Sequence, residues 1–193
     1  LSQLIGQLER AVRVLEACPE FVLFVPEVRV NIVHAPEHVA DPGQVAGIDG
    51  RITVVGGMPK AAGPVRLGVS DHMARLVIEA QRFDPTIRAG LNFRWNESIH
   101  DFVQEHCAAH GLTLGCIDRA VEPPEHTGRD RSSIPWKVRH LVERYGKVPR
   151  VCYETRGWGK EPLFFLLGPD PAGVAELATE LARGYTRRQA CPD

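Results

Sequence analysis

Gly68-Val69-Ser70-Asp71-His72-Met73-Ala74-Arg75 reads as a strand end that passes through serine into a helix. Such an entry leaves several backbone N–H groups unpaired and aimed one way, which makes the helix start a natural anion site. Ser70 has the residue type of an N-cap. Asp71 and His72 fall in the first turn, and Arg75 follows one turn on. A second glycine-bounded turn, Gly47-Ile48-Asp49-Gly50-Arg51-Ile52, puts Arg51 at another strand start. Two cations, a histidine and an open helix start fit a phosphorylated ligand.

Each of these residues also has a plainer reading. Arg51 at a strand start can be a surface cation paired with Asp49, and His72 can simply hydrogen-bond at its helix start. Arg75 and Arg88 can be solvated. Asn92, between Leu91 and Phe93, needs a specific partner if the segment is buried; Asn31, between Val30 and Ile32, is similar, with turn capping as the alternative. In Gly157-Trp158-Gly159-Lys160-Glu161-Pro162, Gly159 permits close backbone approach and Lys160 can meet a phosphate. Glutamates at positions 154 and 161 rule out a P-loop there, and a structural turn is the other reading. His106 and His110 have the i,i+4 spacing of a helical metal pair. They close a polar helix with no partner cluster in sequence, so they read as a solvated helix end. The indoles of Trp136 and Trp158 can line the ligand site, with core or loop packing as the default reading.

The elements that must position these groups follow from periodicity. Leu4, Leu8, Ala11, Val12 and Leu15 form a helical stripe. Segment 28–33 reads as a strand with Arg29 and Asn31 facing away from the core. Segments 51–55 and 65–69 read as a hairpin joined by the turn-rich 56–64. Helix 71–82, an ambiguous 91–95, helix 97–110 stopped by Gly111, and strand 112–117 come next. A polar loop 122–131, helix 134–145, strand 149–153, the apolar strand 163–167 and helix 171–187 complete the chain. The alternation predicts an α/β fold, a layered α/β/α sandwich with a mixed β-sheet in a single domain.

Composition sets ordinary bounds. The 193 residues are 44% hydrophobic and 24% charged, enough for one domain with a sizeable core. A net charge of −1 gives no electrostatic reason for nucleic acid to be the partner. Five cysteines, widely spaced and without a Cys-x-x-Cys pair, predict a reducing compartment with neither a disulfide frame nor a zinc knuckle. No apolar run approaches the roughly 20 residues that span a bilayer, and no signal peptide opens the chain. A soluble, cytoplasmic protein is expected, and a start at Leu1 is what a fragment of a longer protein would show.

The chain resembles the ThiN family of thiamine-phosphate synthase domains. The resemblance runs from about Pro26 to Pro171. It is carried by Pro26-Glu27-Val28-Arg29-Val30-Asn31, Gly50-Arg51-Ile52, the Gly68–Arg75 stretch and Arg88-Ala89-Gly90-Leu91-Asn92-Phe93-Arg94. Asp118-Arg119, Glu122-Pro123 and Gly157-Trp158-Gly159-Lys160-Glu161-Pro162 follow in the expected order. It implies a helical extension over 1–20 and the synthase-like domain over 21–188. The family has two branches. One is an enzyme, usually fused to a hydroxymethylpyrimidine phosphate kinase, that joins hydroxymethylpyrimidine diphosphate to hydroxyethylthiazole phosphate and releases pyrophosphate. The other is the thiamine-phosphate sensor of a helix-turn-helix repressor, which would meet nucleic acid only through a domain absent from this sequence. Arg51 in Gly-Arg-Ile, His72 in Ser-x-His and the extra N-terminal helix are features of the enzyme branch.

The resemblance therefore implies a transferase with Arg51 and His72 catalytic. Ser70, Asp71, Arg75, Arg88, Asn92, Gly159, Lys160 and Glu161 would bind substrate or its phosphates. Cations and backbone donors would stabilise charge gathering on the departing diphosphate. Mg²⁺ is expected with that diphosphate; Asp71, Asp118, Glu122 and Glu161 are the carboxylates considered, none assigned. The sequence departs from the family pattern at Val121, Arg150 and Glu154, which bears on the metal ligands. Strand 163–167 and the N-terminal helix are the surfaces considered for a homodimer, with internal packing as the alternative.

Overall fold

The structure, a computed structural model, describes residues 2–126, 130–157 and 161–191. The first helix, α1 (Ser2–Glu16), buries the expected stripe of Leu8, Ala11, Val12 and Leu15. Strands β1 (Ile32–His34) and β2 (Ala46–Ile48) follow, then β3 (Ile52–Val55), β4 (Met58–Ala61) and β5 (Val65–Leu67). Helix α2 (Asp71–Gln81) leads to β6 (Ala89–Arg94), α3 (Glu97–Ala109) and β7 (Leu114–Ile117). Helix α4 (Asp130–Tyr145), β8 (Val151–Glu154), β9 (Leu163–Gly168) and α5 (Pro171–Ala190) complete the order.

Among the described residues the main sheet has seven strands in the order β5-β2-β1-β6-β9-β8-β7. Its pairs are antiparallel except β7 with β8, which are parallel. The sheet is mixed and covered on both faces. Successive residues of β9 alternate between the two cores: Phe164 and Leu166 pack toward α1 and α5, Phe165 and Leu167 toward α2 and α4. This period of two, with helices on either side, is the α/β/α layering in a single domain. No helix among the described residues is long and apolar enough to cross a membrane.

The hairpin differs from the sequence expectation. Strand β3 pairs with β4 in a separate two-stranded ribbon, and β5 instead pairs with β2. Gly56 and Gly57 both take positive φ, 57° and 77°, as a two-residue turn matched to strand twist requires. The chain therefore reverses there, before Val65 can serve as the partner. Of the ambiguous segment 91–95, residues 91–94 belong to the central strand β6. Helix α4 begins at Asp130, ahead of the predicted 134, and carries Pro135 inside it. Asn31 does not face solvent: it is 3% exposed, because α2 and α4 cover the face that a one-sided sheet would leave wet.

Gly90 sets the distance between α2 and the sheet. A Cβ there would stand 2.9 Å from Val77 Cγ2 and 3.1 Å from both Leu167 Cδ2 and Met73 Cε. Gly90→Ala is expected to cost about 1–3 kcal/mol through overpacking, measured as a lower urea midpoint. Combined with Val77→Ala it should cost less than the two single changes added together.

Candidate active site

The strands carry the site on the face covered by α2 and α4, where β1 parts from β6. Ile32 is still paired with Leu91. One residue earlier the chain turns away, and Val30 exchanges both backbone hydrogen bonds with Ile52 at the start of β3. The Asn92 side chain bridges the two strands where they part. Its Oδ1 accepts from the Asn31 N–H (2.8 Å) and its Nδ2 donates to the Arg29 carbonyl (3.0 Å). Asn31 repeats the device, accepting the Ile48 N–H at 3.1 Å. Two amides thus replace ladder bonds that the separating strands cannot make.

The opening is a cavity of about 280 Å³ lined by Asn31, Arg51, Ser70, His72, Asn92, Glu154 and Glu161, with Val28, Met73 and Leu163 as apolar wall. Ser70 stands at the N-cap position of α2 with extended backbone, but its hydroxyl makes no capping bond to the helix. Gly47 lets it approach, since a Cβ there would lie 3.2 Å from Ser70 Cβ. The His72 ring lies against Phe165 of β9, with centroids 6.1 Å apart. Arg51 holds a left-handed conformation, φ 67°, uncommon for a side chain of this size. Its guanidinium donates to the Val28 carbonyl, while Glu161 accepts the Glu27 and Val28 N–H groups at 3.2 Å each. Arg51 and Glu161 therefore hold the same turn from two sides.

A buried ionic group backs the cavity. Arg119 bonds Glu122 at 2.9 and 2.8 Å and Glu154 at 2.9 Å, and Lys137 Nζ lies 2.6 Å from Glu154. Ser133 donates to the other oxygen of Glu122. All four charged side chains are at most 4% exposed. Ser133 and Lys137 lie one turn apart on α4, beside the apolar Ile134, Val138 and Leu141. Burial alone would push the Glu154 carboxyl up, but Lys137, Arg119 and His72 outweigh it and hold it below the usual carboxylate range. Burial would likewise pull the Arg119 guanidinium down, and Glu154 and Glu122 more than reverse that.

The fold gathers Arg51, Ser70, His72, Asn92 and Glu161 around one cavity. Asp71 and Arg75 pair with each other at 2.8 Å on α2, outside that lining. Arg88 lies at the far end of β6, bound to the Ala35 carbonyl and to Glu37. Gly159, Lys160 and Trp158 fall outside the described residues. Sequence reasoning noted Glu154 only as a departure from the family pattern and passed over Lys137. An acid ending the apolar run 151–153 was the one available signal for the former; a lysine in a polar helix gives none.

A family model described as thiamine-phosphate synthase ThiN matches residues 7–180. The chain belongs to the ThiN family. Over 181 residues it is 35% identical to the thiamine-phosphate synthase ThiN of Methanothermobacter thermautotrophicus, covering 94% of this chain and 93% of that protein. It is 29% identical over 163 residues to the bifunctional thiamine biosynthesis protein ThiDN of Methanocaldococcus jannaschii, covering 83% of this chain but 36% of that protein. A crystal structure of the C-terminal domain of phosphomethylpyrimidine kinase superposes with a TM-score of 0.88 at 33% identity, covering 93% of this chain and 98% of that one. Membership in the ThiN family supports an enzyme of thiamine biosynthesis.

Two stability measurements test the site's architecture. Arg51→Gly and Arg51→Ala both remove the bond to Val28, but only glycine relieves the left-handed backbone. The glycine variant should therefore be the more stable by about 1 kcal/mol in urea denaturation. Because the Glu154 carboxyl titrates lower in the folded than in the unfolded chain, its stabilisation is complete above the unfolded value. It is lost as pH falls through the folded one. Glu154→Gln leaves Arg119 and Lys137 short of buried countercharge and should cost about 3 kcal/mol at neutral pH. Thermal melts between neutral and acidic pH should then show a shallower acid loss than wild type.

Proposed function

We propose that this ThiN-family chain is a thiamine-phosphate synthase that joins hydroxymethylpyrimidine diphosphate to hydroxyethylthiazole phosphate. The observation that carries this reading is the meeting of Arg51, His72 and the uncapped start of α2 in one cavity, with apolar wall for a heterocycle. In the proposed reaction the C–O bond between the pyrimidine methylene and the diphosphate breaks, and the oxygen keeps the electron pair. The thiazole ring nitrogen gives its lone pair to the same carbon, so the products are thiamine phosphate, carrying a thiazolium charge, and pyrophosphate.

The chain's residues fit the charge changes. Negative charge grows on the departing oxygens, where Arg51 offers a guanidinium that stays charged at any working pH. The backbone N–H groups opening α2 offer fixed dipoles of the right sign. His72 in the first turn is assigned to donate a hydrogen bond or proton to the leaving oxygen. Asn92 and Asn31, held by backbone partners, keep the floor rigid while the substrates change charge.

The carboxylates present do not fit a metal ion held by the protein alone. Glu161 accepts two backbone N–H groups, Glu154 carries Lys137 and Arg119, and Glu122 is enclosed by Arg119 and Ser133. Asp118 caps the Ala120 N–H, and Asp71 pairs with Arg75. Mg²⁺ is proposed to enter on the diphosphate oxygens, keeping most of its water. No step assigned to this chain passes through it.

The test is turnover by the purified chain with both substrates and Mg²⁺, thiamine phosphate being quantified. Wild type should form product, and Arg51→Ala and His72→Ala should each lower kcat by about 10²-fold or more. Absence of product, together with tight binding of thiamine phosphate in calorimetry, would replace the synthase reading with that of a ligand sensor.

A further inference from the structure

We propose that His106, His110 and Glu180 form a site for a divalent transition-metal ion, with Zn²⁺ as the type, fastening the end of α3 to α5. His106 lies in the last turn of α3 and His110 at its C-cap, one turn on, their rings stacked with centroids 4.0 Å apart and planes 19° from parallel. The third donor comes from another helix: Glu180 Oε1 of α5 stands 3.7 Å from His106 Nε2. One ligand atom from each residue lies within 4.8 Å of the other two. Tetrahedral bonds of about 2.0–2.1 Å put neighbouring ligand atoms roughly 3.4 Å apart. The His106–Glu180 pair is within a few tenths of an ångström of that separation; the two near-parallel imidazoles, whose lone pairs lie in their ring planes, converge on one ion when the exposed His110 ring turns about its Cβ–Cγ bond.

His110 has the outer partner that a metal-binding histidine needs. His110 Nδ1 lies 2.8 Å from the His106 carbonyl. A carbonyl only accepts, so Nδ1 carries the proton and the Nε2 lone pair is left for an ion. Phe102 packs against the His106 ring (6.1 Å) and against Tyr185 of α5 (5.8 Å), so the imidazole is backed by both helices. Two imidazoles and one carboxylate select a borderline ion such as Zn²⁺, Co²⁺ or Ni²⁺ over Mg²⁺ or Ca²⁺. Three protein ligands leave a fourth position, on the solvent side, for water. The site lies on the face packed by α1, α3 and α5, whereas the active-site cavity opens on the face packed by α2 and α4.

The chain is stripped with EDTA in a Cys191→Ser background, which removes an exposed competing thiol. It is then titrated with ZnCl₂ by calorimetry, with MgCl₂ in parallel, and followed by thermal melting. The expected result is one Zn²⁺ per chain, a raised melting temperature that tracks the Zn²⁺ concentration, and no matching response to Mg²⁺. His106→Ala, His110→Ala and Glu180→Gln should each weaken binding by more than the roughly 10-fold that loss of an outer partner costs. Far-UV circular dichroism of His110→Ala, altered at an exposed position, checks that the fold is kept. Absence of Zn²⁺ binding by wild type would overturn the proposal. So would equal affinity and stoichiometry in the His106→Ala/His110→Ala double variant.

Discussion

The cavity exists because two strands separate inside a sheet and the backbone groups they abandon must still be paired. An unpaired buried amide costs about as much as a lost hydrogen bond, so strands rarely part without something in the gap. Here the something is Asn92. Its amide has both a donor and an acceptor, and it serves the Arg29 carbonyl and the Asn31 N–H together. That frees the chain at Val30 to pair with Ile52, and the pairing sets Arg51, one residue before Ile52, at the rim. The cation's place thus depends on a side chain forty-one positions further along the sequence.

The opposite wall follows a different rule. Arg119, Glu122, Lys137 and Glu154 are buried as two positive and two negative groups, so the enclosure is close to neutral. A buried charge set of this kind contributes little net stability compared with apolar packing, but it is costly to break. Its consequence is geometric. Loop, helix and strand meet at fixed distances beside His72, and Glu154 is held ionised where it faces the cavity. A charged wall and an amide-bridged floor fix the groups around the cavity in place, the arrangement that the proposed reaction calls for.

The Arg51 backbone shows the same economy. A left-handed arginine after a left-handed Gly50 is a local cost that the strand pairing on either side imposes. The guanidinium returns part of it through the Val28 carbonyl, and Glu161 closes the same turn from β9's side. Stability and site geometry meet in these few residues.

Much was determined by the sequence itself. Apolar periods of two and of 3.6 residues marked the helices and most strands, including the layered two-sided arrangement, because those periods report which face of an element is buried. Turn chemistry singled out Arg51, Ser70 and His72, and the family resemblance favoured the site reading of Arg51 and His72 over the plainer one; the fold brings all three to one cavity. Tertiary structure alone decided the rest. Local pattern does not say which strand takes which neighbour, so β5's pairing with β2 and Asn31's burial were hidden until both sheet faces were covered. The Arg119–Glu154 pair joins residues 35 apart, and His106 meets Glu180 across two helices. A charged side chain announces its type in a sequence, but its partner is fixed by packing, and packing decides whether it is a solvated surface group or part of a site.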